Sequence, residues 1–509
     1  MNEKRSFNYN LLMVTTLIIS GCSIIYEVLI SSVSSFLVGD SIKQFSITIG
    51  LYMSAMGLGS YLSKYIKTQL FDWFVVVEIG VGVLGGISTL ILFLSNIYIE
   101  SYELIMYIQI ILIGTLVGLE IPLLTRIIES NTKDLRITLS RIFSFDYIGG
   151  LIGSIAFPLI LLPKFGYFTI AFLVGSLNII VSIIIIHTYK NYIKNVYFFK
   201  LSSIALLILM LMGAVFGDNI ANLMEGKLYR DKIVLSKQTP YQNIVVTKHK
   251  DDLRLFINGN IQFSSSDEYR YHEALVHVPM NASKNRKRVL ILGGGDGLAV
   301  REVLKYLDVL KITLVDLDED MVKLSKTNSN IVNLNKNSLN NSKLEIIYND
   351  AFKFLEESNE VYDVIIVDLP DPNNESLNKL YTNVFYRLCG KNLSHSGAMS
   401  VQSTSPYYAK EAYWCINKTI ESEGLNVVPY HVEVPTFGDW GFQLVTKTPM
   451  DTKDIKVNVD TRFLNKETLQ KLFIFSKDEL INNKESIKSN TLTHPMLLSY
   501  YLKAVNNWR

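Results

Sequence analysis

Cysteine is scarce in this chain. Three residues in 509, Cys22, Cys389 and Cys415, have no paired spacing, which argues against a disulfide framework. The seven histidines form no C-x-x-C or H-E-x-x-H pattern, so no metal site is assigned. An excess of one charge is also missing: 49 lysines and arginines face 47 aspartates and glutamates, a formal net charge of +2. That balance gives no basis for nucleic-acid binding through bulk charge. No low-complexity linker or internal repeat is visible after about residue 217. The length exceeds what one hydrophobic core supports and predicts two or three domains.

What is present is segregated. Hydrophobic residues make up 49% of the chain and charged residues 19%, but long apolar runs dominate as far as Gly217 and charges recur every few residues beyond it. A bilayer core about 30 Å thick needs roughly 20 apolar residues in a helix. Runs of that kind cover 11–38, 45–66, 74–97, 104–124, 143–162, 165–187 and 199–216, so residues 1–217 are expected to form an all-α multispan membrane bundle of about seven helices. The first run is too long for a cleaved signal. Glu27, Glu78, Glu120 and Asp146 fall within or at the ends of these runs. Such acids usually face a bundle interior or a wet cavity. Two readings stay open: neutral or hydrogen-bonded acids beside small packing residues such as Gly149, Gly150, Gly153 and Ser154, or a path for a cation or polyamine.

The second half reads differently. Short β-rich stretches at 233–235, 243–247 and 253–257, with the turn Asn258-Gly259, predict a small β-hairpin domain over 225–265. A helix follows at 268–278. Apolar strands at 289–292, 312–315, 344–347, 364–367 and 399–402 then alternate with helices near 299–306, 320–326, 351–356, 378–388 and 410–423. This predicts an α/β Rossmann-like domain of the class I methyltransferase kind over 266–450. Strands at 427–434 and 442–446 are expected as an antiparallel edge. Residues 451–509 form a tail to which no role is assigned.

The chemistry-bearing residues sit at the ends of these strands. Gly293-Gly294-Gly295-Asp296-Gly297 after the first lets the backbone pass close to a nucleoside, although a tight turn without ligand would look similar. Asp316 ends the second strand, where a carboxylate can bind both ribose hydroxyls. The third ends in Asn349-Asp350-Ala351, where an acid can accept from an adenine amino group. The fourth ends in Val367-Asp368-Leu369-Pro370-Asp371-Pro372, an anionic patch suited to a cation. A pyrophosphate is disfavoured because Asp296 would repel it, so an adenosyl-sulfonium fits better than a dinucleotide.

Over 232–448 the chain resembles the spermidine synthase family of polyamine aminopropyltransferases. The resemblance rests on Tyr241-Gln242-Asn243-Ile244, Gly259-Asn260-Ile261-Gln262, Asp267-Glu268-Tyr269-Arg270-Tyr271-His272-Glu273, the Gly293 to Gly297 loop, Asp316-Leu317-Asp318, Asp350, Asp368 with Asp371-Pro372, and Val434-Pro435-Thr436-Phe437. The multispan segment is similar to that of its membrane-embedded bacterial branch. The resemblance implies that Asp368 accepts the proton of an attacking amine and that Asp371 holds the diamine. It places Gln242, Tyr271 and His272 in the substrate pocket and Asp296 beside the donor's aminopropyl amine. Asp316 takes the ribose position, where soluble relatives usually have glutamate, and Asp350 the adenine position. Gly293, Gly295, Gly297 and Ala351 complete the nucleoside site. Further departures are Asn373-Asn374-Glu375 in place of Gly-Pro, Phe437 in place of tyrosine and Asn258 in place of aspartate. They fall mainly at the amine end, which makes putrescine the default acceptor and leaves cadaverine or a longer amine open.

The implied reaction is spermidine synthesis from decarboxylated S-adenosylmethionine as co-substrate, with no tightly bound cofactor. Two alternatives remain: an S-adenosylmethionine methyltransferase, or a polyamine sensor or transporter that only binds. The implied partners are a diamine and the lipid bilayer, and the pairing of soluble relatives makes a second copy of the chain a candidate as well. Lys4, Arg5, Lys64, Lys67, Arg126, Lys133, Arg136, Arg141, Lys190 and Lys194 share one side of the expected bundle, against Lys43 and Lys164 on the other. That bias makes the N-terminus cytoplasmic. Seven spans would then put the catalytic half outside, away from a cytosolic substrate. The expectation is therefore that the count of seven is off by one and the catalytic half is cytoplasmic, with external placement as the alternative.

Overall fold

The computed structural model describes residues 7–38, 41–99, 101–132, 135–229, 231–481 and 483–508. Lys4, Arg5 and Lys133 lie outside the described residues. The chain divides into two compact units, Met1–Ile233 and Val234–Arg509.

The first unit is helical. Among the described residues, six helical stretches are long and apolar enough to cross a membrane: Tyr9–Val38, Ile42–Tyr65, Tyr102–Ser130, Leu135–Lys164, Tyr167–Thr188 and Val196–Val215. The segment expected at 74–97 is two helices, Leu70–Gly86 and Ser88–Tyr98, bent by 43°. The bend follows Gly85-Gly86, a pair that weakens a helix. Small residues let helices approach closely: a Cβ on Gly149 would collide with the Leu17 carbonyl, and one on Gly118 with that of Met56. A further helix, Gly217–Leu228, continues past the expected boundary at 217.

The two ends of this unit are marked by polar contacts. At one end the Asn8 carbonyl accepts from Tyr189 Oη at 2.6 Å, Asp72 accepts from the Lys194 amide at 3.0 Å, and Arg126 donates to the carbonyls of Ile66 and Ser63 at 2.7 and 2.9 Å. At the other, Lys43 pairs with Glu103 at 3.2 Å and Lys227 donates to Tyr98 Oη at 2.7 Å. The bent pair therefore runs from one end to the other. Glu78 and Glu120 are buried, and Glu78 accepts from Asn178 Nδ2 at 3.1 Å. Glu27 and Asp146 are only partly covered.

The second unit opens with a four-stranded sheet in sequence order: β1 (Lys232–Gln238), β2 (Asn243–His249), β3 (Asp252–Ile257) and β4 (Asn260–Ser264). The fourth strand is an addition to the three expected. After the helix Glu268–Ala282 comes a seven-stranded sheet of β5 (Arg288–Gly293), β6 (Lys311–Asp316), β7 (Leu344–Tyr348), β8 (Tyr362–Asp368), β9 (Leu393–Gln402), β10 (Asn426–Val434) and β11 (Gly438–Thr446). Its order is β10-β11-β9-β8-β5-β6-β7. β7, β6, β5, β8 and β9 are parallel, and β11 and β10 add the expected antiparallel edge. The interior of β5, Val289 to Leu292, is wholly buried, as suits a β-branched and leucine run covered on both faces. The chain steps outward from β5 to β7 and then returns to β8 on the other flank of β5. A crevice at the carboxyl ends of β5 and β8 results, the usual ligand position in such sheets.

The helix expected over 378–388 is broken. Glu375–Asn378 and a 3-10 turn Lys379–Tyr381 precede Asn383–Asn392, because Thr382 is extended and its hydroxyl accepts from the Phe385 amide as an N-cap. A helix at Ser329–Asn335, capped by Asn328, was not expected. The described residues of the tail beyond 450 pack on the domain. The Glu273 carboxylate accepts the amides of Arg462, Phe463 and Leu464 at 2.6 to 2.9 Å, and the Leu472 carbonyl accepts from the His431 amide at 2.9 Å.

Candidate active site

The crevice is built from strand ends. Gly293 pairs with Asp368 across β5 and β8 and has φ +81°. A Cβ there would collide with the Asp368 carbonyl, and one on Gly295 would collide with the Asp316 carboxylate. The glycines are thus required by the approach of two acids as well as by the turn into the helix Leu298–Val303. Gly297, at φ +83°, faces Asn335, Ser338 and Leu339. Asp296 Oδ1 accepts from the Leu298 amide at 2.8 Å. Asp316 Oδ1 accepts from the Asp318 amide at 2.9 Å. Asp296, Asp316, Asp368 and Asp371 are all partly exposed, whereas the strand residues behind them are buried.

Asp368 accepts from Tyr271 Oη at 2.7 Å through Oδ1. Asp371 Oδ1 accepts from Gln402 Nε2 at 2.7 Å, and its Oδ2 accepts from Tyr501 Oη at 2.9 Å and Thr404 Oγ1 at 3.4 Å. Tyr381 Oη reaches the Leu369 and Pro370 carbonyls at 3.2 and 3.0 Å and donates to Gln402 Oε1 at 2.7 Å. The segment carrying the two acids is therefore fixed from several sides.

Burial pushes Asp316 up to about 6 and Asp368 up to about 6, the latter against the pull of His272. Burial also raises Asp296 and Asp371. His272 is the counterweight. Burial opposes its charge, but Nδ1 lies 2.8 Å from Glu268 Oε2, and that carboxylate lifts the imidazole to about 9. Glu268 is in turn gripped by Arg301 at 2.8 and 2.9 Å. The result is a protonated imidazole beside Asp296 and Asp368.

The expected residues divide by role. Tyr271, His272, Asp296, Asp316, Asp368 and Asp371 converge on the crevice or on its lining. Gln242 is tied to Asp318, donating at 2.8 Å to an Oδ2 that also accepts from Thr239. Asp350 caps the helix Ala351–Glu357, where its Oδ1 accepts from Phe352 and Lys353, while its Oδ2 pairs with Lys379 at 2.6 Å. Those contacts hold it below the usual carboxylate range despite burial. Ala351 is buried as the first residue of that helix. Sequence reasoning did not assign Asp318, Lys379, Gln402 or Tyr501. Gln402 could have been found, being the polar residue that ends the fifth parallel strand.

A Gly-rich loop at a topological switch point, an acid on the adjoining strand and an anionic crevice are the features of a nucleoside-binding α/β domain. Residues 268–457 match the Spermine/spermidine synthase domain. A polyamine aminopropyltransferase of Leptospira interrogans is 42% identical over 96% of this chain and 97% of its own. One of Oceanobacillus iheyensis is 41% identical over the full length of both. A solved spermidine synthase in complex with the transition-state analogue AdoDATO is 26% identical, covering 48% of this chain and 85% of its own with a TM-score of 0.45. The chain belongs to the polyamine aminopropyltransferase family, enzymes of the spermidine synthase type.

The histidine assignment is testable by titration. Because the folded value of about 9 lies above the ordinary 6.5, the stability His272 contributes is complete below pH about 6.5 and is lost as the pH rises through about 9. The stability difference between wild type and His272→Gln should shrink over that window, and the His272 imidazole signal in NMR should titrate near 9. A signal titrating below 7 contradicts the assignment.

Proposed function

We propose that this enzyme transfers the aminopropyl group of decarboxylated S-adenosylmethionine to a diamine, putrescine by default, giving spermidine and methylthioadenosine. The observation that carries the reading is the pair Asp368 and Asp371 at the end of β8, each held by its own donors beside the glycine loop. An alkylamine with a pKa near 10.4 is protonated at neutral pH and cannot attack. Asp368 takes that proton, while Asp371 binds the far ammonium and fixes which nitrogen faces the donor. The N–C bond forms as the C–S bond breaks, and the sulfonium leaves as a neutral thioether. Asp296 supports the choice of donor, since it attracts the free ammonium of the decarboxylated compound and repels the carboxylate of S-adenosylmethionine.

Purified protein supplied with either donor and a panel of diamines is expected to release methylthioadenosine and an elongated amine only with the decarboxylated donor. Asp368→Asn should lower kcat by about 10²- to 10⁴-fold. The acid limb of the wild-type profile should fall near pH 6, since Asp368 is a base only above its pKa of about 6. Methyl transfer without methylthioadenosine, or binding without turnover, overturns the reading.

We further infer that the first unit lies in a bilayer as the membrane-embedded branch would require, with the bent pair as a full crossing. Support comes from the six apolar helices and from the contacts that place Asp72 and Tyr98 at opposite ends. Seven crossings put residue 9 and the catalytic unit on opposite faces. Loop charge then argues for a catalytic unit outside the cytoplasm, and a cytosolic substrate supply argues for one inside. Reporter fusions at the two termini are expected to report opposite faces, and the C-terminal fusion decides between those two arguments. Reporters on the same face contradict the seven-crossing topology.

A further inference from the structure

The hydroxyl that Tyr501 places on Asp371 comes from outside the matched domain, which ends at residue 457. Its helix, Met496–Trp508, is fastened from its first turn. Asn490 is fully buried; its Nδ2 donates to the carbonyls of Asn378 and Tyr381 at 3.3 and 3.1 Å, and its Oδ1 accepts from the Leu497 amide at 3.3 Å. The Asn490 amide donates to Thr419 Oγ1 at 2.8 Å, and its carbonyl accepts from the Asn383 amide at 3.0 Å. Leu497 is buried in the same core cluster as Leu380, Tyr381 and Phe385. The tail is thus coupled to Tyr381, whose hydroxyl holds Gln402, and Gln402 holds the other oxygen of Asp371.

We propose that Tyr501 is a positioning residue for the acceptor amine and that the tail helix forms the wall at the acceptor end of the crevice. This rests on the aminopropyltransferase reading above. A carboxylate has about four lone-pair sites. Gln402, Tyr501 and the longer contact from Thr404 occupy three of them, which leaves one direction for an ammonium. Fixing that direction fixes the distance from the bound ammonium to the nitrogen presented at Asp368, and hence the chain length of the diamine. Burial alone would favour the neutral acid, and the donors from Gln402, Tyr501 and Thr404 oppose it. Tyr501 therefore helps keep Asp371 charged as well as aimed.

The test is Tyr501→Phe in the full chain, with Tyr500→Phe as the control. Tyr500 Oη accepts from the Lys488 amide at 3.4 Å and belongs to the same helix. Tyr501→Phe is expected to raise the KM for the diamine about tenfold, the loss of one hydrogen bond to a charged group. The KM for the donor should stay within about twofold, and the preference between four- and five-carbon diamines should narrow. Tyr500→Phe should leave all three unchanged. Calorimetric titration of putrescine into enzyme saturated with methylthioadenosine gives acceptor affinity without turnover and should show the same tenfold loss. An unchanged affinity in Tyr501→Phe, or a donor KM rising in parallel, overturns this inference even where the wild type makes spermidine. A wild type that binds putrescine but makes no elongated amine overturns the parent reading, while the affinity comparison still decides the role of Tyr501. A wild type that binds no diamine overturns both.

Discussion

Four carboxylates gathered at one end of a buried sheet repel one another, and each additional one raises the cost of ionising the rest. This chain offsets that cost with a cation set behind them. His272 is protonated because Glu268 faces its Nδ1, and Glu268 is held for that purpose by the guanidinium of Arg301. With that positive charge beside Asp296 and Asp368, the rise that burial imposes on both carboxyls is opposed. The proposed selectivity of the site for amines over anionic nucleosides rests on this arrangement.

Backbone geometry delivers the acids to that place. The return of the chain to β8 beside β5 brings Gly293 against Asp368, and the absence of side chains at Gly293 and Gly295 gives Asp368 and Asp316 their room. Tyr271 then orients the proposed base, and Gln402, Tyr381 and Tyr501 orient its partner. The proposed nucleoside and amine ends of the crevice draw on different supports: the former on the loop and β6, the latter on β8, β9 and the tail.

The sheet was legible because its parallel strands are short apolar runs, of which β5, β6 and β8 stop at glycine or aspartate and β7 shortly before Asp350, and that punctuation marked Asp316, Asp350 and Asp368. The break at Thr382 was not, since one capping hydroxyl interrupts an otherwise helical pattern. The bend after Gly86 was hidden within an unbroken apolar run. The tail was least legible. Its short elements are held by side-chain bonds from elsewhere, such as Glu273 on three successive amides, and such bonds leave no periodic trace in the segment they fix. Tyr501 lies in the helix Met496–Trp508, and its partner Asp371 is set by tertiary packing that the helix's own pattern does not record.

The central claim is that acids at the strand ends select a cationic donor. The most direct measurement is the ratio of dissociation constants for S-adenosylmethionine and its decarboxylated form, in wild type and in Asp296→Asn. The account predicts that the wild type prefers the decarboxylated form by at least about tenfold and that the variant loses most of this preference, chiefly through weaker binding of the decarboxylated compound. A ratio unchanged by the substitution, in protein that remains folded, contradicts it.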